Sequence, residues 1–104
     1  MSGITGDWDV ALKTPIGSLA VRYEFTAVDG GLSGRAIGKH ETTPVERIAV
    51  TDTPEGQRVT WRQTVTKPIR LTLEFDVTVH DDELRGHSRA GRLPRSQVSG
   101  QRII

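Results

Sequence analysis

Cysteine is absent from this 104-residue chain, and aromatic residues make up only 5% of it. Without cysteine the protein has no disulfide, no thiol nucleophile and no thiolate ligand for a metal. Its stability must come from a buried apolar core, and a chain of this length holds one such core but has no room for a second domain. We therefore expect a single domain over residues 1–104.

Long apolar runs and an excess of charge of one sign are missing as well. With 14 basic and 13 acidic residues the formal net charge is +1, too small to attract nucleic acid or acidic lipid strongly. The opening residues, MSGITGDWDV, contain neither the basic nor the apolar segment of a secretion signal. These features predict a cytoplasmic protein that binds neither nucleic acid nor membranes.

Arginine is unevenly distributed despite the balanced total. The stretch from Arg85 to Arg95 contains four arginines and no acid, and Arg102 follows near the end. On a strand, such residues line a solvated outer face, which is the simplest interpretation. A local anion site is the alternative.

Apolar and polar residues alternate with a period of two along most of the chain, whereas helical i, i+3, i+4 spacing is never sustained. Turn sequences such as Asp29-Gly30-Gly31 and Thr53-Pro54-Glu55-Gly56 separate the alternating segments. The pattern predicts eight strands, over residues 8–13, 19–26, 32–39, 44–50, 58–65, 69–80, 84–90 and 96–103.

Eight short strands joined by tight turns suit an all-β, antiparallel up-and-down barrel. Closing the sheet on itself pairs the edge strands that an open sheet would expose. A sandwich of two sheets is the alternative, because alternation alone does not distinguish it from a barrel.

The first and last predicted strands carry a short motif. Gly6-Asp7-Trp8 opens the first strand, and Arg102 lies in the last. The pair resembles the signature of the calycins, the lipocalin-like barrels, in which an indole lies across the closed end and an arginine packs over it. The resemblance implies that Trp8 and Arg102 close one end of the barrel.

Three longer segments, residues 6–14, 25–34 and 71–100, are also similar to compact bacterial lipocalin-like domains of unassigned function. One shared feature is the pattern Leu73-x-Phe75-x-x-x-Val79, followed by a turn. This resemblance implies the fold and leaves the activity open.

Small residues occupy positions where two strands should face inward. They would leave space for a cavity, since a solid barrel would place larger apolar side chains there. The alternative is that the glycines allow tight bends or bulges. The residues concerned are Gly34, Ala36, Gly38, Gly86, Ser88 and Ala90.

Four polar or aromatic residues are candidates for ligand contacts. Tyr23, Trp61 and Gln63 fall on otherwise apolar faces, and Glu46 joins them if Ile48 and Val50 point inward. A binding pocket combines apolar walls with a few such polar groups. We therefore expect the barrel to bind a small hydrophobic molecule.

Metal and cofactor sites are not predicted. His40, His80 and His87 lack the i, i+2 or i, i+4 spacing that would bring two of them to one ion. Haem held by one histidine is the alternative, although none of the three is assigned firmly to an inner face.

Two other functions stay open. A cofactor-free isomerase, cyclase or hydratase would use Glu46, Tyr23 or His40 as a general acid or base in the same cavity. A homodimeric interaction module is the other, although outward charges such as Arg22 and Glu74 argue against a large apolar interface.

Overall fold

The computed structural model describes residues 3–14, 17–66 and 70–103. These contain eight strands: β1 (Gly6–Thr14), β2 (Gly17–Val28), β3 (Gly31–Ile37), β4 (Thr42–Thr53), β5 (Gly56–Val65), β6 (Leu71–His80), β7 (Glu83–Ala90) and β8 (Ser96–Arg102).

Each strand pairs antiparallel with the next along the chain, and β8 pairs with β1, so the sheet closes into an up-and-down barrel. The predicted barrel is confirmed, and the sandwich is excluded because all eight strands belong to one continuous sheet. Several strands are longer than predicted, β4 by residues at both of its ends. Pro15, Ile16 and Ile69, which we assigned to a turn and a strand, lie outside the described residues.

The barrel has two ends that differ in their connections. At the lower end β1 begins, β8 finishes, and the short turns at residues 29–30, 54–55 and 81–82 join strands. Gly30 and Gly56 have φ values of 80° and 140° there, in a region that residues with side chains rarely adopt. The upper end carries the longer connections, including residues 38–41 and 91–95.

Alternation places the apolar side chains in the barrel interior. All five aromatic side chains of the chain are buried there. Four of them, Tyr23, Phe25, Trp61 and Phe75, contact one another with ring centroids 4.8 to 6.0 Å apart. Such offset and edge-on contacts stabilise aromatic pairs beyond the burial of their area.

The seam between β3 and β4 is short and irregular. Only residues 34–37 of β3 pair with β4, and the pairing of β4 with β5 shifts between Glu46 and Ala49. Arg47 lies in this bulge with a φ of 54°. Because a bulge inserts an extra residue, it reverses which residues point inward from there on.

Candidate binding site

Arg102 and Trp8 lie together at the lower end. They face each other in the β1–β8 register, and the guanidinium carbon is 4.4 Å from the indole centroid. The same guanidinium donates hydrogen bonds to the carbonyls of Gly3 and Thr5, at 2.7 and 2.6 Å. It also reaches the Asp82 carboxylate at 2.9 Å. A planar fork of donors suits this convergence of acceptors.

The segment before β1 covers the lower end. Ile4 is 1% exposed, its N–H donates to the Gln57 side chain at 3.0 Å, and its carbonyl accepts from the Trp8 indole at 2.8 Å. A ligand entering from this end would have to displace Ile4 and break these bonds. Access through the upper end or the side of the barrel requires no such displacement.

A chain of hydrogen-bonded polar side chains crosses the interior. The Tyr23 hydroxyl donates to Gln63 Oε1 at 2.6 Å, and Gln63 Nε2 donates to Thr43 Oγ1 at 3.1 Å. All three side chains are buried. Thr43 and Gln63 lie near the upper ends of β4 and β5, so the chain leads from the middle of the barrel towards that end.

The indole of Trp61 adds an unpaired donor beside this chain. Trp61 is 2% exposed, and its Nε1 has no hydrogen-bond partner among the described residues. The indole N–H is near enough to the Tyr23 hydroxyl to lower the pKa of that hydroxyl, as a weak hydrogen-bond donor would, but it is not in hydrogen-bonding geometry with it. A buried N–H without an acceptor costs about 1–3 kcal/mol.

Burial raises the pKa of the Tyr23 hydroxyl well above its ordinary value, with Gln63 and Trp61 acting in the opposite direction. The phenol therefore stays protonated at neutral pH and acts as a hydrogen-bond donor. It does not supply a general base.

Glu46 is placed differently from the other three candidates. Tyr23, Trp61 and Gln63 lie in the interior, whereas Glu46 is exposed and pairs in register with the outward Arg62. Our conditional expectation of an inward Glu46 is wrong because the bulge at Arg47 intervenes. Odd-numbered residues point inward before the bulge, and even-numbered residues point inward only from Ile48 onward. Extending the alternation of Ile48 backward without a bulge wrongly placed Glu46 on the inner face.

Several of the small inward residues are in close contact with their neighbours. A Cβ on Gly34 would lie 2.9 Å from the Phe25 ring, and one on Gly100 would lie 3.0 Å from a Val10 methyl. At Gly86 it would overlap the β6 backbone. At Gly34 and Gly86, two of the positions that we expected to leave space for a cavity, that space is taken by a large side chain or by backbone.

Thr43 is a member of the polar chain that the sequence did not identify. It is two residues before Val45 on β4, and both are buried. The alternation of Thr43 and Val45 was a usable signal, but a threonine at the start of a strand does not reveal that a glutamine on the neighbouring strand will reach it. Only the register of β4 against β5 does so.

The histidines lie away from the interior. His40 and His80 are exposed, and His87 lies on the outer face of β7, opposite Asp76. Within residues 3–14, 17–66 and 70–103 no three His, Asp or Glu residues cluster as metal ligands would. Over the same ranges, no helix has the length and apolarity needed to span a bilayer.

The geometry defines a closed eight-stranded antiparallel barrel with one end covered and a buried polar chain inside. Comparison with known proteins adds no family to this description: no protein-family profile matches the chain, and neither does any curated protein.

Proposed function

We propose that the barrel binds a small, mainly apolar molecule that carries a hydrogen-bond acceptor such as a carbonyl oxygen. The observation that carries the proposal is the buried Trp61 Nε1, which has no acceptor among the described residues. Native proteins rarely leave a buried donor unpaired, and sites that do so are candidates for a bound group. A ligand oxygen beside the indole would satisfy it.

The surroundings of the indole support a ligand of this chemistry. Phe75 stacks on Trp61 with centroids 4.8 Å apart, and Phe25 and Tyr23 contact it at 5.2 and 5.4 Å. Aromatic walls with a few fixed polar groups are typical of small-molecule sites. An eight-stranded barrel has room for one small ligand at most, so a large lipid is not the expected occupant.

The arrangement favours a lipocalin-like binding role over catalysis. Glu46, the carboxylate that an isomerase or hydratase would use, is exposed on the outer face. Tyr23, held protonated by burial, donates a hydrogen bond to Gln63. The interior groups described therefore orient a bound molecule but do not abstract a proton from it.

Acetophenone and ethylbenzene form a matched pair of probes, because they differ mainly in the carbonyl oxygen. In a proton–nitrogen NMR titration the chain gives two indole signals, from Trp8 and Trp61. We expect acetophenone to shift the Trp61 signal and leave the Trp8 signal, whose N–H is already bonded to Ile4, unchanged. Ethylbenzene should bind about tenfold more weakly, the value of one hydrogen bond.

Trp61→Phe is the matched variant, since it keeps an aromatic ring and removes the N–H. It should bind the two probes equally. The proposal fails if neither probe moves the Trp61 signal, or if the Phe variant still prefers the ketone. A Trp61 signal already shifted to a hydrogen-bonded position in the free protein would assign the donor to a buried water instead.

A further inference from the structure

A second site is indicated on the outer face of the barrel, away from the interior described above. A groove of about 360 Å³ runs over the outer face of β5, β6 and β7. Its volume lies in the range of small-molecule sites. Seven of its ten lining residues are four arginines, two acids and one histidine: Arg47, Arg62, Arg89, Arg95, Glu74, Asp76 and His87. The other three are Thr60, Trp61 and Phe75.

The register of the strands brings these residues together. Arg62 faces Glu74 across β5 and β6, and Glu74 faces Arg89 across β6 and β7. The bulge of β4 directs Arg47 to the same surface, and the β7–β8 connection adds Arg95. Residues that are far apart in the sequence therefore form one cationic surface.

Both acids of the groove already have arginine partners. Glu74 accepts from Arg62 at 3.0 Å, and Asp76 forms a two-pronged pair with Arg58, from outside the groove, at 2.6 and 3.0 Å. The hydrogen-bonded pair with Arg58, together with the charge of Arg95, lowers the pKa of Asp76, so its carboxylate is ionised at neutral pH.

The remaining arginines have donors to spare. Within the described part of the chain, neither Arg47 nor Arg95 forms an ion pair, and Arg89 bonds only to the Leu93 carbonyl, at 3.1 Å. The Nε of Arg62 is buried without a partner. With His87 neutral, four arginines against two acids leave the lining with a formal charge of +2.

We propose that this groove binds a phosphate group, either free phosphate or the phosphate of a small monoester. Guanidinium groups match the oxygens of phosphate with paired donors, and a lining of charge +2 complements a dianion. In this proposal Arg89 and Arg95 supply donors from the β7 side of the groove, and Arg47 supplies donors from the β4 side.

The test is to titrate the protein separately with sodium phosphate, phenyl phosphate and sodium acetate at constant ionic strength. Binding is monitored by backbone amide chemical shifts in NMR and by calorimetry. Both phosphates should shift the groove residues, with acetate binding at least tenfold more weakly. Tighter binding of phenyl phosphate than of phosphate identifies a monoester site, and equal binding identifies a site for free phosphate.

Arg95→Gln should weaken phosphate binding about tenfold, as expected for one charge-assisted contact. Arg85→Gln is the control, because Arg85 lies on the outer face of β7 but outside the groove. Equal weakening of phosphate binding in the two variants would show that only general charge attraction holds phosphate, and it would overturn the proposal. So would the absence of any shift beyond that given by sodium chloride. Ketone binding in the interior is unaffected by either result.

Discussion

At the scale of single residues, the Arg102 side chain contacts several separate parts of the molecule at once. Its donors reach the carbonyls of Gly3, Thr5 and Asp81 and the carboxylate of Asp82 while its plane covers Trp8. Hydrogen bonds from a charged group contribute about 1.5–3 kcal/mol each in favourable cases, and they are not additive. The Arg102 side chain is only 16% exposed, so water does not fully replace these hydrogen bonds.

We predict that Arg102→Met lowers the free energy of unfolding by about 2–4 kcal/mol, because it leaves several backbone carbonyls without donors. Urea unfolding measures the change. Arg35→Met is the control, since Arg35 is 61% exposed and pairs only with Glu24; it should cost less than about 1 kcal/mol. Similar losses in both variants would show that Arg102 acts only as a surface charge.

At the scale of strands, β6 and β7 approach each other at Gly86. A Cβ there would overlap the Asp76 carbonyl oxygen and lie 2.6 Å from the Val77 Cα. Gly86 pairs with Val77 on one side and Val98 on the other, so neither neighbouring strand can move without disturbing a buried valine. This glycine serves the packing of strands and does not leave a cavity.

We predict that Gly86→Ala destabilises the protein by about 3 kcal/mol or more, the scale of overpacking against a backbone that cannot move away. Gly31→Ala is the matched control, because no atom lies within 4 Å of its added Cβ. That change should be neutral or stabilise by up to about 1 kcal/mol, since alanine restricts the unfolded chain. Thermal and urea unfolding of both variants checks the difference, and a tolerated Gly86→Ala would contradict the close approach.

At the scale of the whole molecule, the buried hydroxyl of Tyr23 links stability to pH. Tyr23 is the only tyrosine in the chain, and burial raises its pKa in the folded protein. In the unfolded chain it ionises at about pH 10. Above that pH the unfolded state loses a proton that the folded state keeps, so stability is full below about pH 10 and falls as the pH rises further.

We predict that stability falls by up to about 1.4 kcal/mol per pH unit above pH 10 from this group alone. Tyrosinate absorbance should appear together with unfolding and not at the ordinary tyrosine pKa. Tyr23→Phe, which is less stable at neutral pH because Gln63 loses its donor, should lose this part of the alkaline dependence. A native protein whose tyrosine titrates near pH 10 while still folded would contradict the burial of the hydroxyl.

The strand pattern was predictable because each strand has one buried face, so burial imposes a period of two on the sequence itself. The alternation from Leu19 to Phe25 identified Tyr23 as a member of an apolar face, and that from Val59 to Val65 identified Trp61 and Gln63. Glu46 was misplaced because a bulge changes the phase of alternation without a clear mark in the residues around Arg47.

The sequence by itself determined the all-β class, the eight strands and most inward positions, since these follow from local alternation and turn residues. The tertiary structure alone decided which polar side chains bond to one another in the interior and which charged residues lie together on the outer face. The Tyr23–Gln63–Thr43 chain and the groove near Arg95 each join residues from different strands. Their positions depend on register and on one bulge, which are set by packing of the whole barrel.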